Sequence, residues 1–259
     1  MSDFLDVLAH VAQVTIDSEY YEAVKPVESM QISLGAAILG CKAIPVIAEI
    51  KSASPSAGVI RKNMEPSEIA KAMQRGGAVA LSVLTEPRQF DGSLEALVQA
   101  REAVKLPIVM KDIILSPIQI QAAAKIGANA VLLIKALFDR GYCDRSLDEM
   151  IAGAHLLGLE VLLETHTERE FCSAVKTGAD LIGINNRDLG TLKVDLNVTK
   201  KILLKHDSNG KWVISESGIN TPTDIRFLCE SGARAFLIGS AIMSADNVEE
   251  KVREFVNAK

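Results

Sequence analysis

Several short apolar runs of this chain end in a group that can give, take or hold a proton, or grip an anion. VIAEIK closes on Lys51 with Glu49 two residues before it, PIVMK on Lys111, EVLLE on Glu164, LIGIN on Asn185 with Arg187 just beyond, and WVISES on Glu216 and Ser217. A run made almost wholly of Val, Ile and Leu reads as a strand covered on both faces, so a charge at its downstream tip faces a pocket. Glu49 and Lys51 share one face through the two-residue repeat of a strand. A structural ion pair is the plain alternative, but a buried pair is a poor source of stability, which favours ligand handling. Lys111, in a drier site or beside other cations, is expected to have a lowered pKa and to donate a proton near neutrality. Glu164, partly desolvated, is expected to have a raised pKa and to work as acid or base. His166 reads as a loop histidine. The Asn185 amide and Arg187 guanidinium suit hydroxyls and a carboxylate, with pairing of Arg187 to Asp188 or Asp195 as the alternative.

These tips need elements that bring them together. Four passages, RGGAVALSVL, KIGANAVLLI, KTGADLIGI and ESGARAFLIG, repeat one joint. In each, a helical pattern ends at a glycine suited to a left-handed C-cap, and a strand begins a few residues later. Eight strands are expected, over residues 46–51, 79–84, 107–111, 130–133, 160–164, 181–185, 212–216 and 235–239, alternating with amphipathic helical segments. That pattern predicts an α/β chain forming a single (β/α)8 TIM barrel over residues 45–259, with its active site at the strands' C-terminal ends. Residues 1–44 form an additional N-terminal helical segment, in which Ser2 and Asp3 start a helix whose Phe4, Leu5 and Leu8 stripe covers one barrel end. A doubly wound open sheet would want G-x-G-x-x-G after the first strand; SASPSAG stands there instead. Its turn-forming residues 54–58 are placed to fold over the mouth. The last two strands end in Glu216, Ser217, Gly218, Gly239 and Ser240, small residues whose backbone N–H groups suit a phosphate. A flavin phosphate would sit in the same place, so an FMN barrel competes on this feature.

Bulk properties narrow the choice. With 48% hydrophobic and 24% charged residues and a net charge of −5, the chain is built as a globular protein and not as a binder of nucleic acid. No low-complexity linker divides it. Cysteines 41, 143, 172 and 229 form no CxxC pair, and the four histidines have no metal-ligand spacing, so no metal is expected. The N-terminus is acidic and no apolar run is long enough for a bilayer, which predicts no membrane association and a cytoplasmic location.

Taken together, IAEIKSASPSAG, LSVLTEPRQFDGS, PIVMKDII, GANAVLLI, EVLLETHT, GADLIGINNRDL, VISESGI and FLIGSAIM resemble the indole-3-glycerol phosphate synthase family of tryptophan biosynthesis, from about residue 46 to 245. The resemblance implies a carbon-carbon lyase that converts 1-(2-carboxyphenylamino)-1-deoxyribulose 5-phosphate to indole-3-glycerol phosphate, losing CO₂ and water, without a cofactor. It implies Lys111 as the acid that protonates the ribulose carbonyl oxygen when the ring closes. Lys51, Glu49 and Glu164 match the positions that supply the later acid and base. Asn185 and Ser217 match ligands of the sugar and its developing charge, and Arg187 and Glu216 complete the polar lining. Lys51, Gly218, Gly239 and Ser240 match the phosphate site, while Ser54, Pro55, Leu84 and Phe90 match substrate positions, the last three along the anthranilate slot.

Three features depart from the family pattern. The usual KDF is here Lys111-Asp112-Ile113, which removes an aromatic contact worth about 0.5–1.5 kcal/mol beyond area burial and predicts weaker substrate affinity. The N-terminal segment differs from the usual basic helix. LIKALFDRGYCDRS introduces Lys135 and a polar loop that matches no assigned part. Other barrels compete for the function. A sugar isomerase barrel would need a cysteine at a strand tip, and none ends a strand here. A non-catalytic phosphate-binding barrel has no use for three costly ionisable groups at its mouth.

Overall fold

A computed structural model describes residues 3–28, 30–54, 58–61 and 65–258, with Ser54 and Val59 as backbone alone. Eight parallel strands follow one another around a closed barrel: β1 (Val46–Ile50), β2 (Ala80–Leu84), β3 (Ile108–Lys111), β4 (Ala130–Ile134), β5 (Glu160–Thr165), β6 (Leu181–Asn185), β7 (Trp212–Glu216) and β8 (Ala235–Ile238). β8 pairs with β1, so the sheet has no edge and the open-sheet alternative falls. Strand limits differ from expectation by one residue at several ends. Lys51 and Gly239 lie just past their strands, while β4 and β5 each run one residue further.

The strands read as continuous apolar runs because each face is covered by a different partner. Ile47, Ala80, Val109, Leu132, Leu162 and Ile214 pack inside the barrel. Val46, Ala48, Leu81, Val83, Val131 and Leu133 pack outward into the ring of helices. Three of the four repeated joints turn on left-handed glycines, Gly77 (φ 96°), Gly127 (φ 82°) and Gly232 (φ 105°); the fourth, at Gly178, does not. Residues 53–54 and 58–59 form a small antiparallel pair after β1.

Helix α1 (Phe4–Asp17) starts at Asp3, whose side chain caps Asp6 N–H while Asp6 caps the Asp3 N–H in return. Its buried stripe of Leu5, Leu8, Ala9 and Ala12 joins the inner cluster together with Ile113, Leu115, Ile134 and Leu137 from the strand tips. The loop that sequence left without a role holds this helix in place. Arg140 donates to Asp3 Oδ1 at 2.8 Å, Asp3 Oδ2 at 2.7 Å and Asp6 Oδ1 at 2.7 Å, and Tyr142 donates to Asp6 Oδ1 at 2.8 Å. The segment expected as a loop opens with a short helix, Lys135–Asp139, across which Lys135 pairs with Asp139. Helix α2 (Leu34–Gly40) lies at the opposite end. There Glu160, the first residue of β5, accepts the N–H groups of Leu34 and Gly35 at 2.6 and 3.1 Å, and Leu34 and Ile38 close the barrel floor. Among the described residues no helix is long and apolar enough to cross a membrane.

Candidate active site

The strand tips enclose a cavity of about 280 Å³. Its polar lining is formed by Glu49, Lys51, Lys111, Glu164, Asn185 and Glu216 with Arg187 and Ser217, and Gly218, Gly239 and Ser240 line it as well. Leu84, Phe90 and Ile113 form an apolar side. Every residue expected at the site is therefore gathered here except two: Pro55 lies outside the described residues, and the Ser54 side chain is not described.

Two ion pairs organise the polar side. Lys51 Nζ stands 2.8 Å from Glu49 Oε1. Lys111 Nζ donates to Glu164 Oε2 at 3.0 Å and lies 3.5 Å from Glu216 Oε2. Both expected pKa directions at this centre are reversed. Burial does disfavour the Lys111 ammonium, but the carboxylates of Glu164, Glu216 and Glu49 outweigh it and raise its pKa above the ordinary lysine value. Burial likewise disfavours the Glu164 carboxylate, yet Lys111 and His166 together hold its pKa below the usual range. The raised carboxyl is Glu216, which burial and its acidic neighbours push up to about 8 against the pull of Lys111. Neither of its oxygens has a hydrogen-bond partner among the described residues, nor does Glu49 Oε2. Neighbouring carboxylates in one dry pocket cannot all ionise, and the proton rests on the one with the poorest partners.

Backbone features make room for these groups. A Cβ on Gly183 would come within 2.2 Å of Glu216 Oε1, and one on Gly239 within 2.3 Å of Glu49 Oε1 and 2.9 Å of Lys51 Nζ. Ser217 (φ 65°) and Gly218 (φ 81°) are both left-handed, and for a serine that conformation costs about 1–2 kcal/mol. The adjoining Asn186 holds the strained turn. Its amide donates to Ser215 Oγ at 3.0 Å, Glu216 O at 2.9 Å and Ser217 O at 3.1 Å, while its oxygen accepts the Thr199 hydroxyl at 2.8 Å.

Arg187 pairs with neither Asp188 nor Asp195. Its Nη1 donates to Leu192 O at 3.0 Å, and its backbone N–H to Asn185 Oδ1 at 3.0 Å. Asp188 instead accepts from Thr191, and Asp195 from Asn197. That leaves the guanidinium in the cavity wall without an acidic partner among the described residues.

Several lining residues escaped the sequence reading. Phe4 and Leu8 reach the cavity from α1, so the helix shapes the site and does more than cover the core. Glu86 accepts the N–H groups of Arg88, Gln89 and Phe90 at 2.9, 2.6 and 3.2 Å, and so fixes the turn that carries Phe90; its place before Pro87 was the available signal. Asp112 is bonded by Tyr21 Oη at 3.0 Å, by the Ile113 N–H at 2.7 Å and by Thr85. Burial outweighs those donors and raises its pKa to about 7. Among the described residues no group of three or more His, Cys, Asp or Glu side chains is placed to hold a metal ion.

The profile of the indole-3-glycerol phosphate synthase family matches residues 5–255. The synthase of that name from Methanocaldococcus jannaschii is 46% identical over 230 residues, which cover 87% of this chain and 84% of the relative. That from Acetivibrio thermocellus is 44% identical over 212 residues, 82% of this chain and 80% of the relative. Among solved structures, the thiamine phosphate pyrophosphorylase of Pyrococcus furiosus superposes with a TM-score of 0.62 over 85% of this chain and 96% of that one; at 18% identity this is a likeness of fold alone. With its profile matched nearly end to end and relatives of that name at such identity, the chain belongs to the indole-3-glycerol phosphate synthase family.

Proposed function

We propose that this cavity closes the pyrrole ring of 1-(2-carboxyphenylamino)-1-deoxyribulose 5-phosphate to give indole-3-glycerol phosphate, with the roles that follow. The ring carbon bearing the carboxylate bonds to the ketone carbon, and the carbonyl electron pair moves to oxygen, which takes a proton from the Lys111 ammonium. The bond to the carboxylate then breaks, CO₂ leaves, and its electron pair returns to the ring. Departure of the new hydroxyl as water needs a second acid, and the methylene carbon beside the amine must lose a proton to a base, which sets the pyrrole double bond. Lys51, the other ammonium of the cavity, is that acid, held by Glu49. Glu164, ionised beside Lys111, is the base.

The remaining lining handles binding. The substrate carries a phosphate and a carboxylate, so a neutral Glu216 spares it a repulsive charge, and Arg187, which has no acidic partner among the described residues, offers its guanidinium to the carboxylate. Lys51 with Gly218, Gly239 and Ser240 receives the phosphate. Asn185 and Ser217 bond the sugar oxygens. The anthranilate ring lies against Leu84, Phe90 and Ile113. One observation carries this assignment: a buried ammonium, Lys111, set between the carboxyl groups of Glu164 and Glu216 in a cavity whose wall also carries Arg187, which has no acidic partner among the described residues. Purified protein incubated with the carboxyphenylamino-deoxyribulose phosphate should develop indole fluorescence. No product from substrate shown to bind would reject the proposal.

A further inference from the structure

His166 is absent from the cavity lining, yet it is buried directly behind Glu164, with 8% of its side chain exposed. Glu164 divides its oxygens between a lysine and a histidine: Oε2 faces Lys111 Nζ at 3.0 Å, and Oε1 faces His166 Nε2 at 3.2 Å. The other ring nitrogen, Nδ1, faces Glu170 Oε2 at 3.6 Å, and that same oxygen accepts the His166 backbone N–H at 2.8 Å. Glu170 is itself fixed in the first turn of the helix Glu168–Ala174, where Thr167 caps its N–H. A neutral imidazole has one N–H and one lone pair, so one of the two carboxylates would confront a lone pair at close range. The imidazolium turns an N–H toward both. Neither contact meets the geometry of a full hydrogen bond, so both act chiefly through charge. Asp188, from the loop after β6, adds a third acidic group within electrostatic reach, and Lys111 is the opposing cation beyond Glu164.

We propose that His166 is a positioning residue: as an imidazolium wedged between Glu164 and Glu170, it keeps Glu164 the standing carboxylate beside Lys111 and leaves the site's proton to Glu216. The role rests on the assignment of Lys111 and Glu164 given above. Burial opposes a charge on His166, but Glu164 and Glu170 prevail and raise its pKa to about 9. Glu216, by contrast, has Lys111 alone as a paired cation among the described residues, at 3.5 Å. The two glutamates thus differ because one has a histidine behind it and the other does not.

Two measurements test this separately. The chain has four histidines, so a ¹⁵N ring spectrum with His166→Gln as the assignment control is tractable. Near neutral pH the His166 ring should carry a proton on both nitrogens; a neutral tautomer there overturns the proposal. In kinetics, His166→Gln should leave KM within about twofold and move the acid limb of kcat to higher pH by about one unit, because Glu164 loses a cation. Glu170→Gln, which touches no cavity residue, should act through the ring instead: the imidazolium loses a counterion and kcat falls at lower pH on the alkaline side. It also serves where His166→Gln fails to fold. An imidazolium in the spectrum with unchanged pH profiles in both variants overturns the positioning role and leaves the reaction assignment intact. Full turnover in Lys111→Ala would reject the assignment itself.

Discussion

The two helices ahead of the barrel cap opposite ends of one cylinder, and they are built differently. At the floor, α2 inserts Leu34 and Ile38 among small and aliphatic first-layer residues such as Ile47, Ala80 and Ala130. Its start is fixed by a carboxylate accepting two backbone N–H groups. At the mouth, α1 lays Phe4 and Leu8 against a cavity and is tethered by half-exposed pairs of Arg140 with Asp3 and Asp6. One end is filled by packing, worth most to stability. The other trades packing for eight ionisable groups around a void, which costs stability and gives chemistry.

Substitutions at the two ends should separate these currencies. The largest effect is expected from Lys111→Ala, with kcat reduced roughly 10²–10⁴-fold and KM little changed, measured by indole fluorescence. Gly183→Ala places a methyl where Glu216 Oε1 now lies, and displacement of that group should lower kcat/KM roughly 10²-fold with the fold intact by circular dichroism. Next comes a pH effect. Glu216 is neutral below about pH 8 and gains charge as the pH rises through that value, so KM for the substrate, which carries both phosphate and carboxylate charge, should climb on the alkaline side. Glu216→Gln should abolish the climb; a Gln variant that keeps it would move the titration to another group. The smallest effect on turnover is expected at the floor. Leu34→Ala should lose about 2–5 kcal/mol of stability, read as a lower Tm, with kcat within about twofold of the parent. Leu8→Ala at the mouth should instead raise KM, and equal behaviour of the two leucines would erase the contrast.

The barrel and most of its lining were legible because a polar or charged residue at the end of a Val/Ile/Leu run has little reason to be there except a pocket. Lys51, Lys111, Glu164, Asn185 and Glu216 were found by that rule and meet in the cavity. What the rule lacks is distance. It could not tell Glu164 from Glu216, since each ends a similar strand, and what separates them is the shorter Lys111 contact and the His166 ring beside Glu164. Nor could it separate Asn185, which lines the cavity, from Asn186, which turns away to pin the Ser217 bend. Tyr21 reaches Asp112 across 91 positions of chain, a contact that no local pattern announces. His166 reads as a loop histidine although Glu170 is only four residues on, because the two become neighbours only once the following helix starts.

Gly183 and Gly239 contribute nothing to the inventory of reactive groups, and yet the oxygens of Glu216 and Glu49 sit where their side chains would begin. The recess for each acid is therefore cut by main chain, which does not relax as a flexible side chain would. Anyone grafting this pair of lysines and three glutamates onto another eight-stranded cylinder must carry across those two vacant positions as well, or the acids will be turned aside before substrate arrives.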